Sequence, residues 1–399
     1  MKDILPPITG DKIEINYGPS HPAMHGTLHV IIQLDGEMIT KCTPVLGYLH
    51  CGFEKLGEHR TYNQYVTVTD RMNYCSPLAN NVSYIQAVEK LFDVEITEKC
   101  SVMRTMILEI ARIMDHAVQV GMQAVDLGAY TPMVWLFKER ELLYDIVEEL
   151  TGTRMTTSWT LIGGATRDIP NKAWLDKIRK FTRRFPKAIR EVERLLNKNK
   201  IWHDRTRGIG AISKEEAINW GLTGPILRAT GADLDLRKDF PYLSYDQVDF
   251  DIPVGEKGDV LDRYFVRMQE MLESNKIIRQ CVDNMPEGPI NIDEPKIIYP
   301  KKDDVYTKME ELIHHFKITM LGHGPEPAKG EVYNAIEAPN GELGWYLVSD
   351  GGQYPYRVHT RAPSFVNYST LPTQMKGHMI SDLVAVVGSL NIIAGELDR

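Results

Sequence analysis

Apolar and polar residues alternate at the start of the chain and then settle into three-and-four spacing, a pattern that predicts a small sheet handing over to helices. Ile13-Glu14-Ile15-Asn16 alternates, and Leu28-His29-Val30-Ile31-Ile32-Gln33-Leu34 runs into Asp35-Gly36, a strand entering a hairpin turn from which 38–45 returns. From 77 to 92 the spacing is helical, with Pro77 in the first turn. Thr97-Glu98-Lys99 opens a long helix on which Val102, Met106, Ile110, Ile113, Ala117, Val120 and Ala124 make one apolar face. Asp115, Gln119, Met122 and Asp126 share a second stripe of that helix, so Asp126 need not lie in the apolar seam. A further helix is predicted over 132–150, opened by Thr131-Pro132 and ended by Gly152.

The basic amphipathic stretch 172–200 reads as a helix broken at Pro186, with a solvated or subunit-facing surface; it lacks the interleaved aromatics that stack bases. The Gly-, Pro- and Asp-rich segment 201–253 reads as ordered loops, 258–285 as a helix, 286–302 as a proline-punctuated connector and 305–319 as a short helix. Strands are then predicted at 332–338 and 344–350 around Pro339-Asn340-Gly341, with another at 356–361 and a last apolar element over 382–394. The expected architecture is α+β and predominantly helical, in three parts: a β-rich subdomain over 1–75, a helical core over 76–320, and a hairpin region over 321–399 that packs back on the core.

Composition changes this picture little. A chain of 399 residues that is 43% hydrophobic and 25% charged folds and is long enough for two to three cores. Its net charge of −8 gives no general attraction to nucleic acid or anionic lipid. Five cysteines, an odd number without a C-x-x-C pair, argue for free thiols and against a disulfide framework or a self-contained zinc or iron-sulfur site. The 1–7 stretch has neither signal-peptide nor transit-peptide character, and no apolar run reaches the ~20 residues that span a bilayer.

Candidate chemistry is concentrated between Gly18 and Tyr74. Gly18-Pro19-Ser20-His21-Pro22-Ala23-Met24-His25-Gly26 packs two histidines into a loop of prolines and glycines; Gly47-Tyr48-Leu49-His50-Cys51-Gly52-Phe53-Glu54-Lys55 and Asp70-Arg71-Met72-Asn73-Tyr74 add further titratable groups, each read as a turn or strand end. No G-x-G-x-x-G follows a strand, and neither a G-x-x-x-x-G-K-[ST] nor a G-x-S-x-G occurs, which argues against direct nucleotide binding and serine hydrolysis. The remaining His, Tyr and Asp groups suit proton delivery to a small polar group. On residue type alone, Tyr74 also fits a core aromatic, Asp126 a helix-end charge and His21 a loop-shaping residue.

These strings, together with Asp204-Arg205-Thr206-Arg207-Gly208, Trp220-Gly221-Leu222-Thr223-Gly224-Pro225, Gly344-Trp345-Tyr346-Leu347-Val348-Ser349-Asp350-Gly351-Gly352 and the ending Gly395-Glu396-Leu397-Asp398-Arg399, resemble the D subunit family of the proton-pumping NADH:quinone oxidoreductase, respiratory complex I. The resemblance runs from about Glu14 to the last residue. It implies a helical bundle like that of the [NiFe]-hydrogenase large subunit without its metal. The residues agree, because a nickel-iron site needs two C-x-x-C pairs; Cys75, near where one pair would sit, reads as a small buried hydrophobe.

What the resemblance implies for function is a quinone headgroup pocket shared with the neighbouring B subunit, whose iron-sulfur cluster delivers the electrons. Tyr74, His25 and its carboxylate partner Asp126 take the proton-donating roles, His21, Met24 and Gly26 line the pocket, and Arg71 lies next to the cluster. The substrate is a quinone, ubiquinone or menaquinone, and this chain holds no metal. The implied partners are subunits B, C, I and H, with no nucleic acid, at the cytoplasmic side of the bacterial inner membrane, attached through other subunits. No activity is expected from the isolated chain. Two rival readings are a membrane-bound [NiFe] hydrogenase large subunit, disfavoured by the missing C-x-x-C pairs, and a purely structural linker. One departure stands out: Arg154-Met155-Thr156 replaces the Arg-Met-His of many members, and Thr156 cannot supply an imidazolium, so the neighbouring cluster is expected to have a lower and less pH-dependent potential.

Overall fold

The helix Glu98–Asp126 is the axis around which the chain folds. The Thr97 hydroxyl accepts from the Cys100 amide at 3.2 Å at its start, and Gly128, at φ 88°, turns the chain away at its end. The predicted apolar face, including Met106, Ile110, Ile113, Ala117, Val120 and Ala124, is fully buried. It packs against the helices Tyr130–Thr151, Val260–Asp283 and Ile380–Leu390, and Lys172–Leu196 lies across the first two of these. Each fully buried aliphatic side chain of this kind contributes roughly 1.5–3 kcal/mol, so the helix is held by its face more than by its propensity.

This computed structural model describes residues 12–399; residues 1–11, which contain the 1–7 stretch, lie outside the described residues. Strands Ile13–Tyr17, His29–Asp35 and Met38–Val45 form the expected antiparallel sheet, with Asp35 paired to Met38 across the turn. Strands Gly330–Ala338, Gly341–Ser349 and Arg357–Arg361 form the C-terminal one, with Pro339-Asn340 as its tight turn. The fold is therefore α+β and predominantly helical, with small sheets at both ends. Both sheets pack into shared cores: Met24, Val30 and Ile32 with Leu371, Val386 and Leu390, and Phe53, Tyr65 and Tyr84 with Trp345 and Val358.

Several expectations need correction. The helix Lys172–Leu196 is not broken at Pro186 but runs through it. Proline removes the amide that would pair with the carbonyl of Thr182, and the Asn275 side-chain amide donates to that carbonyl at 3.0 Å instead. Asn275→Ala leaves a buried acceptor without a partner and is expected to destabilise the chain by about 1–3 kcal/mol, read as a lowered midpoint in thermal unfolding.

The 201–253 segment carries short helices, Lys200–Asp204, Lys214–Asn219, Gly224–Arg228 and Leu236–Asp239, each too brief for a period to be visible. The 305–319 helix is two, Lys302–Thr307 and Met309–Thr319, divided at Lys308, whose backbone is extended. The last apolar element divides into Ile380–Leu390 and Ala394–Asp398 at Asn391, which is in a left-handed conformation. The 47–55 string is not all turn and strand end, since it runs into the helix Phe53–Gly57; the helix Tyr62–Thr69, opened by a Thr61–Gln64 capping box, then leads to the 70–74 turn.

Candidate functional site

The first loop is built to present His25. Met24 and the prolines form a single tight turn, Pro22–Met24, with His25 following at φ 48°, a left-handed conformation that aims the chain back toward the sheet. His21 starts that turn: its Nδ1 accepts from the Ala23 amide at 3.2 Å, and its ring lies 4.3 Å from that of Tyr17. The structure thus gives His21 a loop-shaping contact. Met24, expected to line the pocket with His21 and Gly26, is instead fully buried in the core below, its Cγ within 3.3 Å of where a Cβ on Gly18 would lie. It anchors the loop, and no part of it reaches the outer face. Gly26 is exposed, with open space around it.

His25 meets Asp126 across 101 residues of sequence, its Nε2 3.0 Å from Asp126 Oδ2. The imidazole side chain is 30% exposed and the carboxylate 9%. Asp126 is the last residue of the long helix, where an anion opposes the macrodipole, so the histidine is the partner that this position requires. Gly388 makes the room: a Cβ there would come within 3.3 Å of Asp126 Oδ2. Tyr17 is also close, since burial first and then the Asp126 charge push its phenol above the ordinary value. With Nε2 committed to the carboxylate, Nδ1 has no partner among the described residues and is the nitrogen available to an outside ligand.

Tyr74 lies on the turn between the helices Tyr62–Thr69 and Pro77–Phe92. Asn73 fixes that turn, its Oδ1 accepting from the amides of Cys75 and Ser76 at 3.1 Å each. Tyr74 itself is 40% exposed, and its hydroxyl makes no hydrogen bond among the described residues. Burial, then the charges of Cys75 and Asp115, push that phenol up to about 12, so it stays protonated at any working pH. Arg71 points outward from the same turn, 3.8 Å from Asp70. Burial outweighs the pull of Arg71 and pushes the Asp70 carboxyl up to about 6. Cys75 is buried, and burial pushes its thiol up to about 12, so it behaves as the small apolar group expected.

The C-terminal residues hold the 47–50 loop and the Tyr74 turn, a role that sequence patterning did not reveal. The Asp398 carboxylate accepts from the amides of Gly47 and Leu49 at 3.0 and 2.7 Å, and His50 Nδ1 donates to the Asp398 carbonyl at 2.7 Å. The Glu396 carboxylate accepts from Asn73 at 3.3 Å. The only advance signal was that Gly395–Arg399 belonged to the resemblance. Thr156 stands at φ 51° after the helix Tyr130–Thr151, an uncommon conformation for a β-branched residue.

His25 and Tyr74 are thus part-exposed side chains, and neither His25 Nδ1 nor the Tyr74 hydroxyl has a hydrogen-bond partner among the described residues. A cleft of about 820 Å³ elsewhere, between Phe92–Glu95 and the helix Met309–Thr319, contains none of these side chains. No helix among the described residues is long and apolar enough to cross a membrane.

Comparison with known proteins gives a consistent answer. Residues 126–399 match the family described as the respiratory-chain NADH dehydrogenase 49 kDa subunit. A protein from Methylacidiphilum infernorum, named as the D subunit of NADH-quinone oxidoreductase, is 50% identical over 398 residues, covering 100% of this chain and 94% of its own. One of the same name from Geotalea uraniireducens is 50% identical over 386 residues, 96% of this chain and 98% of its own. A third, from Leptospira biflexa, is 49% identical over 384 residues, 96% of this chain and 94% of its own.

Proposed function

For a chain that belongs to the family of the respiratory-chain NADH dehydrogenase 49 kDa subunit, we propose that it forms, with the neighbouring iron-sulfur subunit, the pocket in which a quinone headgroup is reduced, and that it supplies the protons. Membership makes it a component of an oxidoreductase complex. The iron-sulfur subunit brings the electrons through its cluster, and this chain's own chemistry is protonic. Tyr74 donates from its hydroxyl to one carbonyl oxygen and His25, as an imidazolium, from Nδ1 to the other, while Asp126 accepts from Nε2–H and fixes the orientation of the ring. One quinone, two electrons and these two protons give one quinol, after which both donors regain protons from solvent.

The observation that carries the reading is the 3.0 Å contact between His25 and Asp126, two residues with no local reason to meet. A Tyr74 side chain that is 40% exposed and a His25 Nδ1 without a partner among the described residues fit a pocket completed by another chain. Gly26 leaves space beside His25, while His21 and Met24 hold the loop. Arg71, a fixed cation on the face toward the iron-sulfur subunit, favours the reduced, more negative cluster. Subunits C, I and H complete the surroundings, and the assembly places this chain on the cytoplasmic face of the bacterial inner membrane.

Two readings from other classes stand against this one. A [NiFe] hydrogenase large subunit is disfavoured by the absence of C-x-x-C pairs in the sequence. A purely structural linker predicts that His25→Ala assembles and reduces quinone at the normal rate. The proton-donor reading predicts assembly, normal NADH oxidation with a soluble acceptor that bypasses quinone, and quinone turnover reduced about 10²-fold or more.

The threonine at 156 adds a prediction about the neighbouring cluster. Without an imidazole there, no nearby proton is taken up on reduction, so the potential of that cluster is expected to be low and nearly flat with pH, which suits a low-potential quinone such as menaquinone. A redox titration at several pH values checks this, and a steep slope contradicts it.

A further inference from the structure

A buried polar chain runs behind Tyr74 and ends on the residue that precedes it. Asp115 Oδ1 accepts from Asn391 Nδ2 at 2.5 Å, and the same amide donates to Asn340 Oδ1 at 2.5 Å. Asn340 Nδ2 reaches Ser364 Oγ at 3.5 Å, the Ser364 amide donates to Glu396 Oε1 at 3.2 Å, and Asn73 Nδ2 donates to Glu396 Oε2 at 3.3 Å. All six residues are buried, and they come from the long helix, the C-terminal hairpin turn and the chain after it, and the Tyr74 turn. Most buried polar groups are held by hydrogen bonds, and those along this chain favour one arrangement of these segments, although Asp115 Oδ2 is buried without a partner among the described residues.

We propose that Glu396 is a positioning residue for quinone reduction, acting through Asn73 to fix the turn that carries Tyr74. The inference rests on the reading of Tyr74 as a proton donor. Polarity is what makes the contact specific. Asn73 Oδ1 is committed to the Cys75 and Ser76 amides, so only Nδ2 is left to face Glu396, and Glu396 must accept there. The backbone allows no slack: a Cβ on Gly395 would lie 2.8 Å from the carbonyl oxygens of both Arg71 and Met72, so the turn sits directly on the first turn of Ala394–Asp398. A loosened turn displaces the Tyr74 hydroxyl from a reacting oxygen, and small misplacements of a catalytic group cost large factors in rate.

The test uses the assembled complex with NADH as donor and a short-chain quinone as acceptor, alongside NADH oxidation by a soluble acceptor that bypasses quinone. Glu396→Gln replaces one accepting oxygen by an amide donor, which must meet either Asn73 Nδ2 or the Ser364 amide, and is expected to lower kcat for quinone about tenfold, with a smaller change in KM. Asn73→Ser, which keeps a cap for the turn but loses the reach to Glu396, is expected to reproduce the loss. The pair Asn73→Asp with Glu396→Gln rebuilds the hydrogen bond with donor and acceptor exchanged, and activity should return to within about threefold of the wild type. On a Tyr74→Phe background, Glu396→Gln should cost nothing further, because it acts through the absent hydroxyl. The proposal is overturned if Glu396→Gln and Asn73→Ser reduce quinone normally while Tyr74→Phe does not, if the losses multiply, or if the exchanged pair assembles without regaining activity. A Tyr74→Phe complex with normal turnover overturns the proton-donor reading itself, a separate failure.

Discussion

Tyr74→Phe is expected to lower quinone turnover by at least about 10²-fold, the low end of what a positioned proton donor contributes. The substitution removes one oxygen atom that makes no hydrogen bond within the described chain, from a residue that is 40% exposed. Nothing in the fold depends on it, so assembly and NADH oxidation with a soluble acceptor should be unchanged. The loss belongs in kcat more than in KM, because negative charge on the quinone oxygen develops as electrons arrive, and a donor set against it gains most in the transition state. A phenol already pushed up to about 12 remains protonated throughout the working range, so the rate should show no alkaline limb from Tyr74 itself. Steady-state kinetics of the purified complex with NADH and a short-chain quinone checks each of these points.

Arg228→Met is expected to destabilise the chain by about 3–5 kcal/mol, a large part of the 5–15 kcal/mol that ordinarily holds a domain together. Arg228 is fully buried and donates to Glu270 at 2.8 Å and to Glu337 at 2.8 Å, with Asp235 3.3 Å away. These carboxylates tie the helix Val260–Asp283 to the C-terminal hairpin, and His116 of the long helix completes the link, its Nε2 2.7 Å from Glu270. Burial works against the charge on Glu270, but Arg228 and the His116 hydrogen bond outweigh it and hold that carboxyl well below the ordinary range. A depressed carboxyl stabilises the fold above its unfolded value of 4.5, and that contribution is lost as the pH falls below it. The wild type should therefore lose stability on acidification below about 4.5, while Arg228→Met, already without the partner, should be weaker at neutral pH and show a shallower acid slope. Thermal unfolding across that range measures both.

That ion cluster also marks where the sequence stopped being informative. The long helix could be read because its apolar residues repeat at helical spacing over eight turns' worth of chain, and the two hairpins because Asp35-Gly36 and Pro339-Asn340-Gly341 announce their turns. Arg228 could not be read as a core residue, since it falls in a stretch whose helices are five residues or so long and show no period. Pro186 signalled a break, and only the Asn275 amide, brought in from another helix, explains why none occurs. Propensity is local, while the partner that overrides it is not.

The candidate site divides the same way. His25, Tyr74 and Asp126 were reached by resemblance on top of residue chemistry, and the 3.0 Å approach of His25 to Asp126 gives that pairing a physical basis. Tyr17, Gly388 and Glu396 were missed, because each acts through a contact made hundreds of residues away or through empty space. Asn73 and Glu396 are separated by 323 positions and share no pattern that one sequence can reveal. Met24, which the resemblance assigned to the pocket lining, is buried as the apolar anchor that holds this loop down.

The central claim concerns where a quinone headgroup binds, and the most direct measurement is a structure of the assembled complex with a quinone analogue bound. The account predicts the two headgroup oxygens within hydrogen-bonding distance of the Tyr74 hydroxyl and of His25 Nδ1, with Nε2 still on Asp126 and the iron-sulfur subunit closing the opposite side. A headgroup seated away from both side chains, with Tyr74 and His25 facing only solvent or protein, contradicts it.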